Sequence, residues 1–302
     1  MDRLIDLIEK FNNRTVVGLD TRITYIPQFI LKEAISKFQD EEEAISYAII
    51  RFNKEIIDAI KDIVPAIKLQ MACYEAFGVG GIKALRETAK YAKQNGMYVI
   101  FDGKRNDIGS SMEFYSKAYL STTTLFDKPY SPFCCDSLTV NLYLGSDTLR
   151  AVLEDCMLYD KTIFVLLKTS NPSSSEIQNI KDENGEEIFL KVAKICETFG
   201  EKTIGKYGYQ KIGAVVGATQ KEELKILRKK LKNTFFLVPG YGAQGANALD
   251  VSYAFEDGSG AIINNSRQIL CAWQQKNYSE KDFANASRDA AIAMRDEINK
   301  YI

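Results

Sequence analysis

The protein has 302 residues, 46% of them hydrophobic, with 39 basic against 40 acidic side chains. That composition fits an ordinary globular chain, and the near-zero net charge supplies no field to draw in nucleic acid or an anionic membrane. No apolar run approaches the roughly eighteen residues a membrane-crossing helix needs, and the absence of histidine excludes Ser-His-Asp and Cys-His mechanisms, leaving acid–base work to Lys, Asp, Glu, Tyr or Cys.

At the N-terminus, acidic residues interrupt what would be the apolar core of a signal peptide, while Leu4, Leu7, Ile8 and Phe11 form a helical stripe. This reads as a surface helix of a cytoplasmic protein. Residues 15–19 read as a strand ending in Asp20. After a segment to about Gln39 that begins irregularly, residues 41–63 carry helical periodicity. A short strand over 66–70 contains Lys68, whose ammonium is costly to bury unpaired. A helix over 81–95 ends at Asn95-Gly96, and a strand over 98–101 leads into Asp102-Gly103-Lys104-Arg105-Asn106-Asp107. If the chain stays extended through Gly103, Asp102 and Lys104 share one side, and Asp107 opens the next helix. On spacing alone, an exposed ion pair with an Asp107 helix cap is the simpler account.

Further strands are expected over 137–141, 162–168, 212–218, 235–240 and 260–264. Helices are expected over 147–158, 186–199, 221–231, 246–255 and 280–301, with an extended loop over 173–185. The six cysteines (Cys73, Cys134, Cys135, Cys156, Cys196, Cys271) form no Cys-x-x-Cys pair and read as reduced structural thiols.

Eight apolar strands, each followed by a helix or room for one, imply parallel pairing through crossover helices. Eight such units close into a (β/α)8 TIM barrel, so an α/β single domain over residues 1–302 is expected. A doubly wound sheet lacks support, because no Gly-x-Gly-x-x-Gly follows the first strand. Barrel enzymes build their sites at the C-terminal strand ends, and here those ends carry Asp20, Lys68, Asp102 and Lys104, with Lys168-Thr169-Ser170-Asn171-Pro172 closing the fifth strand. Phosphate in such barrels often sits on the loops after strands seven and eight. Those loops hold Pro239-Gly240-Tyr241-Gly242-Ala243-Gln244-Gly245 and Asn265-Ser266-Arg267, where glycines admit an anion to backbone N–H groups and an arginine can grip it with a bidentate fork.

In that setting, Asp102-Gly-Lys104-Arg-Asn-Asp107-Ile108 resembles the Asp-x-Lys-x-x-Asp-Ile signature of the orotidine 5′-phosphate decarboxylases. Gly18-Leu19-Asp20, Ile67-Lys68-Leu69-Gln70, Thr139-Val140-Asn141, Thr169-Ser170-Asn171-Pro172, the Pro239 to Gly245 loop and Asn265-Ser266-Arg267 follow in the family's order. The likeness is to the longer branch of that family, with Lys-Arg inside the signature. It implies metal-free, cofactor-free decarboxylation of orotidine 5′-monophosphate to UMP, with Lys68, Asp102, Lys104 and Asp107 as the catalytic array. By the same resemblance Asp102 would lie against the substrate carboxylate, and Lys104 would face C6 and protonate it. Asp20 and Lys68 would contact the ribose and Ser170 the pyrimidine edge. Gln244 and Arg267 would hold the phosphate, with Pro239 and Ser266 beside them in the substrate site. Asp107 and Ile108 would enter a partner's site, which implies a homodimer. Ser111 stands where the family more often has threonine, and Gln70 where some relatives have asparagine; both bear on ribose contacts.

Other readings stay open. Related sugar-phosphate lyases on the same barrel share Asp-x-Lys-x-x-Asp, but they use Mg²⁺ held by an acidic residue where this chain has Lys68. Lys68 or Lys104 could instead form a Schiff base in an aldolase-type lyase, against which stand the carboxylates that keep Lys104 protonated. A binding protein with a dead site would have no need of Asp102, Lys104 and Asp107 together.

Overall fold

Near-continuous runs of β-branched and aromatic residues make strands buried on both faces, the pattern of a parallel sheet covered on each side. They are β1 (Thr15–Gly18), β2 (Ala66–Gln70), β3 (Tyr98–Arg105), β4 (Ser137–Val140), β5 (Thr162–Lys168), β6 (Ile212–Val216), β7 (Phe236–Val238) and β8 (Ala261–Asn265). In the computed structural model, which describes residues 1–133, 135–275 and 278–302, they close into one barrel, with β1 paired in parallel to both β8 and β2. The (β/α)8 architecture expected from the strand–helix alternation is what the chain forms. Cys134, read above as a reduced thiol, lies outside the described residues. Among the described residues, no helix is long and apolar enough to cross a membrane.

Strand alternation divides the core in two. Val16, Ile100, Phe164, Val215, Leu237 and Ile262 cluster inside the barrel. Their neighbours Val17, Ile67, Val99, Phe101 and Val165 pack in the outer layer with the helices. The N-terminal helix, Asp2–Phe11, corrects one expectation. It is not merely a surface helix, because its Leu4, Ile5 and Ile8 are buried in the inner cluster with Tyr98 and Phe235. The amphipathic stripe closes the barrel floor, and Leu7 and Phe11 at its margin stay half-buried.

Other differences are local. The segment after β1 holds a 3-10 turn (Ile23–Tyr25) and a helix (Gln28–Lys37) that buries only Ile30 and Ala34, too few apolar anchors to give a clear period. The loop expected over 173–185 contains two short helical turns, Pro172–Ser174 and Ser175–Gln178. A β-hairpin, Thr123–Leu125 with Lys128–Tyr130, was not foreseen. Asp107 does not cap the following helix. That helix spans Gly109–Tyr119, its cap position is Ile108, and Asp107 Oδ1 accepts only from the adjacent Ile108 N–H. The five described cysteines are free, and burial pushes the Cys156 thiol up to about 12 and that of Cys271 up to about 11.

Candidate active site

The C-terminal strand ends open into a cavity of about 630 Å³. Ten of the residues singled out in the sequence line it: Asp20 after β1, Lys68 and Gln70 on β2, Asp102 and Lys104 on β3, Ser170 after β5, Pro239 and Gln244 after β7, and Ser266 and Arg267 after β8.

At its base the register of β2 against β3 sets Gln70 opposite Asp102, and Lys68, 3% exposed, projects beside them. Lys68 Nζ donates to Asp102 Oδ2 at 3.1 Å and to Asp20 Oδ1 at 3.3 Å. Gln70 Nε2 reaches the same Asp102 oxygen at 3.1 Å. The other oxygen accepts from Lys104 Nζ at 2.7 Å and from the Thr139 hydroxyl at 2.9 Å. Burial alone would raise the Asp102 pKa, but Lys68 and Lys104 hold it well below the usual carboxylate range. Burial would likewise lower the Lys68 pKa, and the carboxylates of Asp20 and Asp102 raise it above its ordinary value. The result is a fixed array of two cations and two carboxylates.

Lys104 occupies it at a conformational cost. Its φ is 49°, a left-handed backbone that costs a residue with a Cβ roughly 1–2 kcal/mol. The ladder with β4 shifts register between Phe101 and Arg105, and β4 holds the turn on both sides. The Lys104 N–H donates to Thr139 Oγ1 at 2.9 Å, and Asn141 Nδ2 donates to the Lys104 carbonyl at 3.0 Å. Thr148, on the helix Asp147–Leu158, continues the support with bonds to Asn106 Oδ1 and the Asp107 carbonyl. The turn is therefore set by residues that sequence reading left without individual roles.

At the opposite rim, Gly240, Gly242 and Gly245 all have positive φ, which lets the loop after β7 double back. Arg267 donates to the Ala243 carbonyl within that loop at 3.2 Å, and Tyr241 ties it down by donating to Glu297 at 2.6 Å. Gly18 is required by close approach, since a Cβ there would lie 1.9 Å from Ser266 Oγ.

Asp107, Ile108 and Ser111 are not brought to this cavity in their own chain. Asp107 pairs with no cation among the described residues, and Ile108 is 59% exposed.

Residues 16–281 match the model of the Orotidine 5′-phosphate decarboxylase / HUMPS family. The chain belongs to this family. The orotidine 5′-phosphate decarboxylase of Caldicellulosiruptor saccharolyticus is 40% identical over 302 residues, covering 100% of this chain and 98% of that one. The enzyme of the same name from Clostridium acetobutylicum is also 40% identical, over 100% of this chain and 99% of the other. The structure of Leishmania donovani OMP decarboxylase superposes with a TM-score of 0.70 at 27% identity, covering 99% of this chain and 97% of that one. The family and the enzyme class expected from the signature are thus borne out.

As a member of the orotidine 5′-phosphate decarboxylase family, the chain presents cavity residues that its motifs did not single out. Arg22 and Tyr25 after β1, Gln178 after β5, and Asn264 on β8 line the cavity, beside Asn265 of the Asn265-Ser266-Arg267 motif. The Oδ1 atoms of Asn264 and Asn265 are buried without a hydrogen-bond partner. Arginine two residues past Asp20 was a readable signal; Asn264 read only as the last residue of its strand.

Proposed function

We propose that the chain converts orotidine 5′-monophosphate to UMP and CO₂, the last step of UMP synthesis, as a cytoplasmic homodimer that uses neither metal nor cofactor. The observation that carries this reading is the Lys68–Asp102–Lys104 array at the cavity floor. Breaking the C6–CO₂ bond leaves an electron pair in the plane of the pyrimidine ring, where the π system cannot take it up. Stabilisation must then be electrostatic, from charges already in place when the pair develops. Lys104 is such a charge. Its ammonium is held by Asp102 yet has 44% of its side chain exposed, so it has a fixed position and an open face. Its Nζ proton passes to C6, leaving a neutral amine that solvent reprotonates.

Asp102 takes the position against the substrate carboxylate. Four donors hold it ionised, so the departing carboxylate meets a fixed negative charge that is relieved as CO₂ leaves. Asp20 and Lys68 face the ribose hydroxyls, and Ser170 faces the pyrimidine edge. Arg267, Gln244 and the glycine loop hold the phosphate, with Pro239 and Ser266 beside them. Phosphate is remote from C6, so its binding energy serves to close the loop and exclude water. Asp107 and Ile108 complete the site of the partner subunit, a role supported by their lying off the cavity of their own chain; Ser111, exposed in the first turn of the helix that follows, goes with them.

The test is UMP formation from orotidine 5′-monophosphate in excess EDTA, for wild type and Lys104→Ala. EDTA-insensitive turnover that disappears in the variant is expected. No turnover by folded wild-type protein would overturn the assignment and favour a metal-dependent sugar-phosphate lyase.

A further inference from the structure

Lys168 is a buried cation that the mechanism above does not use. It ends β5, immediately before Thr169 and Ser170, and is 1% exposed. Strict alternation would send its side chain into the barrel with Phe164 and Leu166. A register shift between Leu166 and Lys168 instead pairs it with Val216, and an irregularity of this kind re-aims a side chain. Lys168 therefore does not line the cavity. Its ammonium lies in the helix layer, where it donates to Asn179 Oδ1. Glu223 Oε1 is 3.5 Å away and the ring centre of Phe189 is 5.8 Å away.

These contacts join the two ends of one loop. Lys168 stands at its start and Asn179 at its finish, and Asn179 is held in turn by donating to Glu187 at 2.8 Å. Between them Gln178 closes the loop a second time, accepting from the Thr169 N–H at 2.9 Å and donating to Thr169 Oγ1 at 2.8 Å. Both Ser170 and Gln178, carried on this closed loop, line the cavity. An ammonium is unfavourable to bury unless its protons find acceptors, and an apolar side chain could fill such a space without that penalty. What the lysine adds is a directed tie.

We infer that Lys168 is a positioning residue for recognition of the nucleobase: from outside the cavity it fixes the loop that presents Ser170 and Gln178 to the pyrimidine. This rests on the reading of Ser170 as the contact to the pyrimidine edge. Calorimetric titration of wild type, Lys168→Met and Asn179→Ala with UMP and with ribose 5-phosphate tests it, because the second ligand lacks the base. For Lys168→Met, the UMP dissociation constant should rise about tenfold or more, with that of ribose 5-phosphate changed less than about twofold. Asn179→Ala keeps the Lys168–Glu223 pair and should show the same selectivity with a smaller factor, about threefold. It decides the matter by itself if Lys168→Met does not fold. Equal weakening of both ligands in a folded variant, or an unchanged UMP affinity, would overturn the inference. A wild type that binds UMP no better than ribose 5-phosphate would instead overturn the base-site reading, and the inference with it.

Discussion

Lys68 and Lys104 are the same chemical group bound to opposite oxygens of one carboxylate, and their burial separates what their loss should do. Lys68→Met removes a cation whose side chain is 4% exposed while conserving most of its volume, so packing is little disturbed. Asp102, 13% exposed, keeps Lys104, Gln70 and Thr139 as donors. Asp20, 25% exposed, loses the ammonium it held at 3.3 Å. Removing one partner of a buried ion pair costs about 3–5 kcal/mol, and the donors left to Asp102 place this case at about 3. Lys104→Ala removes an ammonium with 44% of its side chain exposed, and a solvent-screened pair of that kind contributes about 0–1 kcal/mol. Unfolding entropy of about 2.1 cal/mol/K per residue over 302 residues converts these into Tm losses. In differential scanning calorimetry Lys68→Met should melt about 5 °C below wild type and Lys104→Ala within about 2 °C of it, although both lose nearly all turnover. Equal Tm losses, or a larger one for Lys104→Ala, would refute the assignment of Lys68 as the buried counter-ion of the array.

Two further outcomes follow from the same geometry. The pKa of Asp102 is depressed, so its contribution to stability is present above its unfolded value near 4 and disappears as pH falls through the folded one. The pKa of Lys68 is raised, so its contribution is complete below about 10.4 and is lost only as pH rises through the folded value. The Tm gap between wild type and Lys68→Met should accordingly stay level from about pH 5 to 9 and narrow below about pH 4; a gap that changes steadily across neutral pH would contradict this. If Asp107 serves the partner's site, Lys104→Ala and Asp107→Ala are each nearly inactive, and co-refolding them restores about a quarter of wild-type turnover per site, because half the dimers are mixed and each carries one intact site. Failure of fully exchanged mixtures to recover any activity would reject the shared site.

The barrel was readable because strands buried on both faces are apolar along their whole length, and such runs, alternating with helices, admit few topologies. The charged cavity floor was readable for the opposite reason. Lys68 inside an apolar strand breaks the local rule, and a broken rule in a folded chain points to chemistry. What stayed hidden depends on register and on partners. Thr139 and Gln70 stand in motifs recognised in the sequence, but only the pairing of β2, β3 and β4 reveals that their side chains meet Asp102. The left-handed turn at Lys104 leaves no mark in the sequence, because the backbone of lysine is forced there by bonds from another strand and not by its own preference. Lys168 shows the same limit from the other side: alternation assigns it to the barrel interior, and one register shift moves it to the helix layer. For Asp107 the sequence offered a helix cap, and the cap position is Ile108. An aspartate that neither caps its helix nor meets a cation among the described residues of its own chain has given up the two common local uses of its charge, which is the condition the proposed shared site would require.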